Sequence, residues 1–125
     1  MSNARPEAVI ERFSQLLAAG DLDSMMELYE PDAAFAPQPG ETAAGHDEIR
    51  AALQAFLALE PRMDGRIEKV LEAGDTALVA NCWTLAGTAP DGSPVKMSGT
   101  SADVLRRRED GSWGILIDDP WGTVT

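Results

Sequence analysis

Two Asp-Gly pairs, Asp91-Gly92 and Asp110-Gly111, separate three strand-like runs in the second half of the chain. Asp-Gly between apolar runs is a strong hairpin signal, because a two-residue turn of type I′ needs positive φ at both central positions. These three runs lie at 76–88, 95–108 and 113–118, and a fourth strand-like run precedes them at 66–73. This half is therefore expected to form an antiparallel meander.

Apolar residues in the first half recur at helical spacing instead. Five of them between residues 9 and 17 lie three or four positions apart, which predicts an amphipathic helix that begins at Pro6 and ends at Gly20. The other elements predicted here are a helix over 22–29, a strand over 33–36 and a helix over 47–59. Helices followed by a meander indicate the α+β class, with helices packed on one face of a curved antiparallel sheet.

Two-residue turns would fix which residues face each other across the meander. Asp103 then faces Asp118 in the last hairpin, and Ala80 faces Asp103 in the preceding one. Side chains alternate between faces, so two surfaces result. The small-residue surface comprises Leu78, Ala80, Cys82, Thr84, Ala86, Met97, Gly99, Ser101, Asp103, Leu105, Leu116 and Asp118. The bulky surface comprises Val79, Trp83, Leu85, Ala102, Val104, Trp113, Ile115 and Ile117.

Only one of these surfaces can lie under the helices. A small domain cannot easily bury both, so the bulky surface is predicted to be a subunit interface, which favours a homodimer. The alternative is that the bulky surface lies beneath the helices and the small-residue surface faces solvent.

Charge and composition exclude several classes of function. Ten Lys and Arg stand against 21 Asp and Glu, a net charge of −11, which disfavours binding to nucleic acid or an anionic membrane. A single Cys and a single His argue against a disulfide framework and a metal site. No apolar run could cross a membrane, and residues 1–7 do not resemble a signal peptide. We therefore expect one cytoplasmic domain over residues 1–125, without metal or organic cofactor.

Several segments resemble the NTF2-like superfamily, above all its ketosteroid-isomerase and SnoaL-like branches. They are Arg12-Phe13, Ala19-Gly20-Asp21-Leu22-Asp23, Leu28-Tyr29, Pro31-Asp32-Ala33, Gly45 with Ile49, Asp103-Val104-Leu105-Arg106-Arg107, Asp110-Gly111-Ser112-Trp113 and Ile117-Asp118-Asp119-Pro120-Trp121-Gly122. The closing segment is most similar to the DUF4440/SnoaL-like group. Together they span nearly the whole chain.

The resemblance implies a curved sheet wrapped around a long helix, which forms a cone with an apolar pocket. Homodimers are usual in this superfamily, often through the outer face of the sheet, and the small-residue surface would line the pocket. The superfamily includes enzymes, transport factors and association domains, so the resemblance indicates the fold more strongly than the function.

Comparison with two enzyme branches argues against their reactions. The aspartate base of ketosteroid isomerases falls at Pro37 and their oxyanion-binding tyrosine at Phe13, so only their protonated aspartate, at Asp103, is retained. Asp118 lies where limonene epoxide hydrolases place a general-acid aspartate, but residues 80–85 contain neither the arginine nor the aspartate that partners it. Both mechanisms therefore lack part of their machinery.

Asp103 and Asp118 remain as the candidate catalytic pair. Two opposed carboxyl groups in a pocket of small and apolar residues cannot both ionise cheaply, so they are expected to share one proton and act as acid and base. The alternative is that they stay hydrated at the rim or pair with a basic side chain. The residues expected to bind a substrate are Phe13, Leu17, Tyr29, Leu78, Cys82, Ser101, Leu105, Leu116 and Trp121.

The sequence leaves two functions open. The leading one is binding or acid–base conversion of a small, largely apolar molecule. The other is a non-catalytic dimerisation or association domain with a vestigial pocket. A cavity of at least ~300 Å³ that reaches Asp103 would favour the first, and a packed cone the second.

Overall fold

The structure, a computed structural model, describes residues 4–122. Helices and strands follow one another along this part of the chain. The helices are α1 (Pro6–Ala19), α2 (Leu22–Glu27) and α3 (Gly45–Leu57). The strands are β1 (Tyr29–Phe35), β2 (Ala43–Ala44), β3 (Arg62–Ala73), β4 (Thr76–Thr88), β5 (Pro94–Thr100), β6 (Ala102–Arg107) and β7 (Trp113–Asp119).

The strands form one curved, open sheet in the order β2-β1-β7-β6-β4-β3, and β5 pairs with the second half of β4. Neighbouring strands are antiparallel except β1 and β7, which run parallel. The sheet is therefore mixed, because β1 joins it from the helices and not through a hairpin. The expected α+β class, with helices packed on a curved sheet, is otherwise confirmed.

Local signals set the junction between the first two helices as predicted. Gly20 adopts a left-handed conformation with φ 70°, and its N–H donates to the carbonyls of Leu16 and Leu17. Asp21 then caps α2 by accepting a hydrogen bond from the N–H of Ser24 at 3.2 Å. None of the helices within residues 4–122 combines the length and apolarity needed to cross a bilayer.

The second helix is shorter than predicted. It ends at Glu27, and both Tyr29 and Pro31 lie in β1. Tyr29 pairs with Ile115 of β7, so strand pairing overrides the helical spacing of the apolar residues. Pro31 falls where the register between β1 and β7 shifts, a position that tolerates proline.

The hydrophobic core lies between the helices and one face of the sheet. We call this the inner face; on β4 it carries Ala77, Val79, Asn81, Trp83 and Leu85, whereas the opposite side of the sheet is the outer face. The helices contribute Val9, Leu16, Leu17, Met25, Ile49 and Leu53 to this core. Burial of each such side chain stabilises the fold by about 1.5–3 kcal/mol.

Both Asp-Gly turns contain three loop residues and not two. In the first, the N–H of Ala89 donates to the carbonyl of Ser93, and the N–H of Gly92 donates to that of Ala89. In the second, the N–H of Arg108 donates to the carbonyl of Ser112 at 2.7 Å. The glycine of each loop has φ 87°, as in a type I turn followed by a bulged glycine.

The extra loop residue shifts the predicted register by one position, which moves side chains to the other face. Asp103 pairs with Val79 and not with Ala80. Both predicted surfaces are therefore wrong, because each of them combines residues that lie on opposite faces of the sheet. The inner face combines Val79, Trp83, Leu85, Trp113 and Ile115 with Met97, Gly99, Ser101, Asp103, Leu105 and Asp118. The outer face combines Leu78, Ala80 and Cys82 with Ala102, Val104 and Ile117.

A bulge in β7 restores one predicted contact. Near the loop, the pairing follows the register that the three-residue loop sets. Leu105 therefore pairs with Ile115 and not with Leu116 as predicted. The register then changes by one residue, so that Asp103 faces Asp118 as predicted. The bulge thus brings the two carboxyl groups together on the inner face.

Candidate functional site

The inner face, α1 and α3 enclose a narrow central cavity of about 60 Å³. Its wall is mostly apolar. The lining residues are Ile10, Phe13, Ser14, Leu17, Phe35, Leu53, Phe56, Met63, Asn81, Trp83, Leu85, Ser101, Asp103, Ile115, Asp118, Pro120 and Trp121. The cavity reaches Asp103 but lies well below the ~300 Å³ of a typical ligand pocket, so by itself it admits only a small chemical group.

Asp103 and Asp118 lie side by side on β6 and β7, only 3% and 9% exposed. The hydroxyl of Ser101 donates to Asp103 Oδ2 at 2.9 Å, and the N–H of Asp119 donates to Asp103 Oδ1 at 3.1 Å. The two carboxyl groups are close enough to affect each other's pKa. Within residues 4–122 no ion pair reaches either carboxyl, and no three His, Cys, Asp or Glu side chains form a potential metal site.

Burial raises the pKa of both carboxyl groups. Loss of solvation raises the pKa of Asp103 well above its usual 3.8, and the negative charge of Asp118 and their hydrogen bond add to this. Loss of solvation also raises the pKa of Asp118, but hydrogen bonds from Tyr29 and Asp103 oppose that rise. Two adjacent buried carboxyl groups with raised pKa values favour a state in which they hold one proton between them.

Tyr29 supplies a hydrogen-bond donor to Asp118. Its hydroxyl donates a short hydrogen bond to Asp118 Oδ2. Its ring meets Phe13 edge-on, with ring centroids 6.4 Å apart. Burial, followed by the charge of Asp118, raises the pKa of Tyr29 well above 10, so the phenol keeps its proton at neutral pH. Asp118 thus accepts a hydrogen bond from a neutral phenol beside the largely apolar cavity.

The strand predicted over 95–108 is interrupted at Ser101, between β5 and β6. The N–H of Ser101 donates to the carbonyl of Asn81 at 2.9 Å, while the N–H of Asn81 donates to the Ser101 hydroxyl oxygen at 3.1 Å. A side-chain oxygen therefore replaces one backbone acceptor of the ladder, which explains the break. The same hydroxyl donates to Asp103, so the break also orients the carboxyl pair.

Two tryptophans contribute to the wall of the cavity. The indole N–H of Trp83 donates to the carbonyl of Pro120 at 2.7 Å, and that of Trp121 donates to the carbonyl of Ala36 at 3.1 Å. Their rings meet edge-to-face with centroids 5.4 Å apart. These contacts hold the segment after β7 against the cavity.

An open cleft of about 580 Å³ adjoins the cavity, between the end of α1 and the start of β3. Leu17 and Met63 line both spaces. The other residues of the cleft are Ala18, Ala19, Gly20, Leu57, Glu60, Pro61, Arg62 and Asp64. At Leu17 and Met63 the cavity beside the carboxyl pair is therefore bordered by a wider space that is open to solvent.

A family model described as a SnoaL-like domain matches residues 10–113. The chain belongs to the SnoaL-like domain family. The NTF2-like, SnoaL-like resemblance of the sequence is thereby confirmed, and no protein with a curated function matches the chain.

Solved structures share the fold of this SnoaL-like chain. An NTF2-like superfamily protein from Salmonella enterica has TM-score 0.80 and 15% identity, over 94% of this chain and 87% of that chain. A candidate scytalone dehydratase from Novosphingobium aromaticivorans has TM-score 0.78 and 15% identity, over 90% of this chain and 77% of that chain. A candidate calcium/calmodulin-dependent protein kinase II association domain from Xanthomonas campestris has TM-score 0.77 and 22% identity, over 94% of this chain and 84% of that chain. At these identities the likeness concerns the fold alone.

The predicted site residues of the SnoaL-like chain divide into three groups. Those that line the central cavity are Phe13, Leu17, Ser101, Asp103, Asp118 and Trp121. Tyr29 reaches the cavity site through its hydrogen bond to Asp118. Those placed elsewhere, contrary to prediction, are Leu78, Cys82, Leu105 and Leu116.

Each misplaced residue has a structural reason. Leu78 and Cys82 lie on the outer face because the hairpin register differs by one residue from the predicted one. Leu116 falls in the irregular part of β7 and is partly exposed. Leu105 is on the inner face but is buried within the core and does not line the cavity.

Asn81 and Trp83 line the cavity but were not predicted to do so. Both are inner-face residues of β4, and a three-residue reading of the first Asp-Gly turn would have placed them opposite Ser101 and Gly99. Phe56 and Met63 were also missed, since their place in the cavity depends on how α3 and β3 pack. Sequence spacing alone carries no signal for those two.

Proposed function

We propose that this SnoaL-like protein binds a small, largely apolar molecule and that the Asp118 carboxylate acts on it as a general base. The observation that carries the proposal is the set of contacts at Asp118. Buried Asp118 lies beside an apolar cavity, accepts a hydrogen bond from Tyr29 and faces Asp103, and no cation neutralises it among residues 4–122. Such a group is a stronger base than a hydrated carboxylate.

Proton transfer is the chemistry that suits this pair. Asp118 would take a proton from a C–H or O–H bond of the bound molecule, whose electron pair then forms a new double bond or expels a leaving group. The proton would return to the same molecule or to the leaving group. Isomerisation and elimination of water both follow this course, and a dehydratase is among the activities named for the structural neighbours.

The volumes of the cavity and the cleft constrain how a molecule would bind. The central cavity, at about 60 Å³, holds only a small group, whereas the adjoining cleft, at about 580 Å³, has the size of an ordinary ligand site. We therefore propose that the reacting end enters between Leu17 and Met63 toward Asp118, and that the rest of the molecule lies in the cleft.

A probe reaction tests the proposed base without knowledge of the natural substrate. In 5-nitrobenzisoxazole, removal of the ring C–H proton opens the N–O bond and gives a coloured cyanophenolate, so the reaction needs only a base in an apolar site. We expect the wild-type protein to accelerate this elimination and Asp118→Asn to lose about a hundredfold or more. The exposed carboxyl variant Asp75→Asn is the matched control and should retain the rate. No acceleration, or an unchanged rate in Asp118→Asn, contradicts the proposal.

We also propose that two copies of the chain associate through the outer face. Register places one apolar residue from each of five neighbouring strands in a single row: Ala34, Ile117, Val104, Leu78 and Leu71. Leu71 is 57% exposed and Ile117 is 44% exposed, which are the large exposed hydrophobic side chains of residues 4–122. Burying such a row against a second copy would remove apolar surface from water.

Association alone is therefore the second candidate function. The small cavity and the apolar row favour it, and an association domain is among the structural neighbours. Light scattering after size-exclusion chromatography should give the mass of a dimer for the wild type and for Gln54→Lys on the exposed side of α3, but that of a monomer for Ile117→Lys. A monomeric wild type would contradict the dimer proposal and leave the acid–base proposal intact.

A further inference from the structure

Asn81 has a side chain that the fold buries but does not satisfy. It lies on the inner face, only 5% exposed. Its Oδ1 is the one buried side-chain oxygen or nitrogen of residues 4–122 that has no hydrogen-bond partner. Buried polar atoms are almost always paired in folded proteins, so an unpaired one calls for a partner supplied from outside the chain.

The backbone of Asn81 does not need the amide. Its N–H and carbonyl are both bonded to Ser101. The amide instead lines the central cavity and also a side groove of about 150 Å³ between α1 and β3. Gly65 leaves room for it there, because a Cβ at that position would come within 2.8 Å of Asn81 Oδ1.

The hydroxyl groups near the carboxyl pair are already used. Tyr29 donates to Asp118, and Ser101 donates to Asp103. Each has one proton to give, so neither can also donate to the amide of Asn81 without leaving its present acceptor. The Ser14 hydroxyl lines the same cavity and groove but forms no hydrogen bond with Asn81 Oδ1, so this acceptor stays open to a molecule that brings its own donor.

We infer that the molecule bound in the central cavity carries a hydroxyl group that donates to Asn81 Oδ1, so that the site takes small apolar alcohols or phenols in preference to the corresponding ketones. This inference rests on the proposal that the cavity binds a ligand. A ketone offers no proton and would leave the amide oxygen buried and unpaired, which is why a site of this kind discriminates against the analogue that lacks the hydroxyl.

Cyclopentanol and cyclopentanone provide a matched pair of probes, since they have the same ring and differ in the donor. Their dissociation constants are measured by NMR titration of the wild-type protein, with the side-chain amide of Asn81 as the local reporter. We expect cyclopentanol to bind at least about tenfold more tightly and to shift the Asn81 amide signals. Equal affinities, or tighter binding of cyclopentanone, overturn the inference while leaving ligand binding in the cavity intact. If neither compound shifts any cavity residue, the inference and the binding proposal both fail.

Two variants separate the role of the amide from that of the cavity. Asn81→Leu keeps similar bulk without an acceptor, so the preference for cyclopentanol should fall to about equal affinities while cyclopentanone binding remains. Asn81→Gln keeps an amide oxygen and should retain the preference. A preference that survives in Asn81→Leu overturns the inference. Should Asn81→Leu fail to fold, the comparison of the two probes in the wild type still decides the matter.

Discussion

Replacing Asp103 with asparagine tests whether this carboxyl is protonated in the folded protein. Burial, the charge of Asp118 and their hydrogen bond raise the folded-state pKa of Asp103 well above the 3.8 of an unfolded chain. The wild type must therefore take up a proton on folding at any pH between these two values. The stability that this group contributes is fully present below pH 3.8 and is lost as pH rises toward the folded-state pKa, at about 1.4 kcal/mol per pH unit.

An asparagine at this position needs no proton. Its amide N–H can donate to Asp118 as the protonated carboxyl does, while its oxygen still accepts from the N–H of Asp119. The hydrogen bond from Ser101 is lost, at a cost of about 1 kcal/mol that does not depend on pH. The free energy of unfolding of Asp103→Asn relative to wild type should therefore increase by about 1.4 kcal/mol for each pH unit above 3.8, up to the folded-state pKa.

Urea denaturation at several pH values between about 5 and 7 measures this difference directly. The control is Asp75→Asn, which removes a carboxyl whose side chain is 80% exposed. That variant should follow the wild-type pH dependence. If the Asp103→Asn and wild-type stability curves run parallel across this range, Asp103 is ionised in the folded state and the reasoning is refuted.

Three further substitutions probe the contacts around the site. Tyr29→Phe removes a donor to buried Asp118, so it should lower the free energy of unfolding by about 1–3 kcal/mol and raise the Asp118 pKa, measured by urea denaturation and carboxyl NMR. Gly65→Ala puts a methyl group against the Asn81 amide and should cost about 1–3 kcal/mol in urea. Glu30→Gln weakens the hydrogen bonds that this buried carboxylate accepts from two arginines, and should lower the thermal midpoint, with a loss of about 1–3 kcal/mol. An unchanged stability in any of the three would contradict the contact concerned.

Periodicity was enough to predict the fold class. Helical spacing over residues 9–17 and strand spacing after residue 61 correspond to α1 and to the meander. Tyr29 was misassigned because its apolar spacing suits a helix, whereas its backbone pairs with β7, a partner distant in sequence. Local spacing carries no information about such a pairing.

The carboxyl pair was predicted correctly through two deviations that cancel. The three-residue loop shifts the last hairpin by one position, and the β7 bulge shifts it back before Asp103 and Asp118. In the preceding hairpin nothing compensates, so the inner-face place of Asn81 was missed. Asp-Gly occurs in both two- and three-residue loops, and the dipeptide alone does not distinguish them.

Both the proposed base and the predicted pH dependence of stability depend on how the carboxyl pair is protonated. Carbon-13 NMR titration of the aspartate carboxyl groups, assigned with Asp103→Asn and Asp118→Asn, measures this protonation at both residues in the same sample. We predict that Asp103 keeps its proton to a pH well above that of an exposed aspartate, while Asp118, the proposed base, ionises first. Two carboxyl groups that both ionise at the pH of ordinary exposed aspartates, about 4, would contradict it.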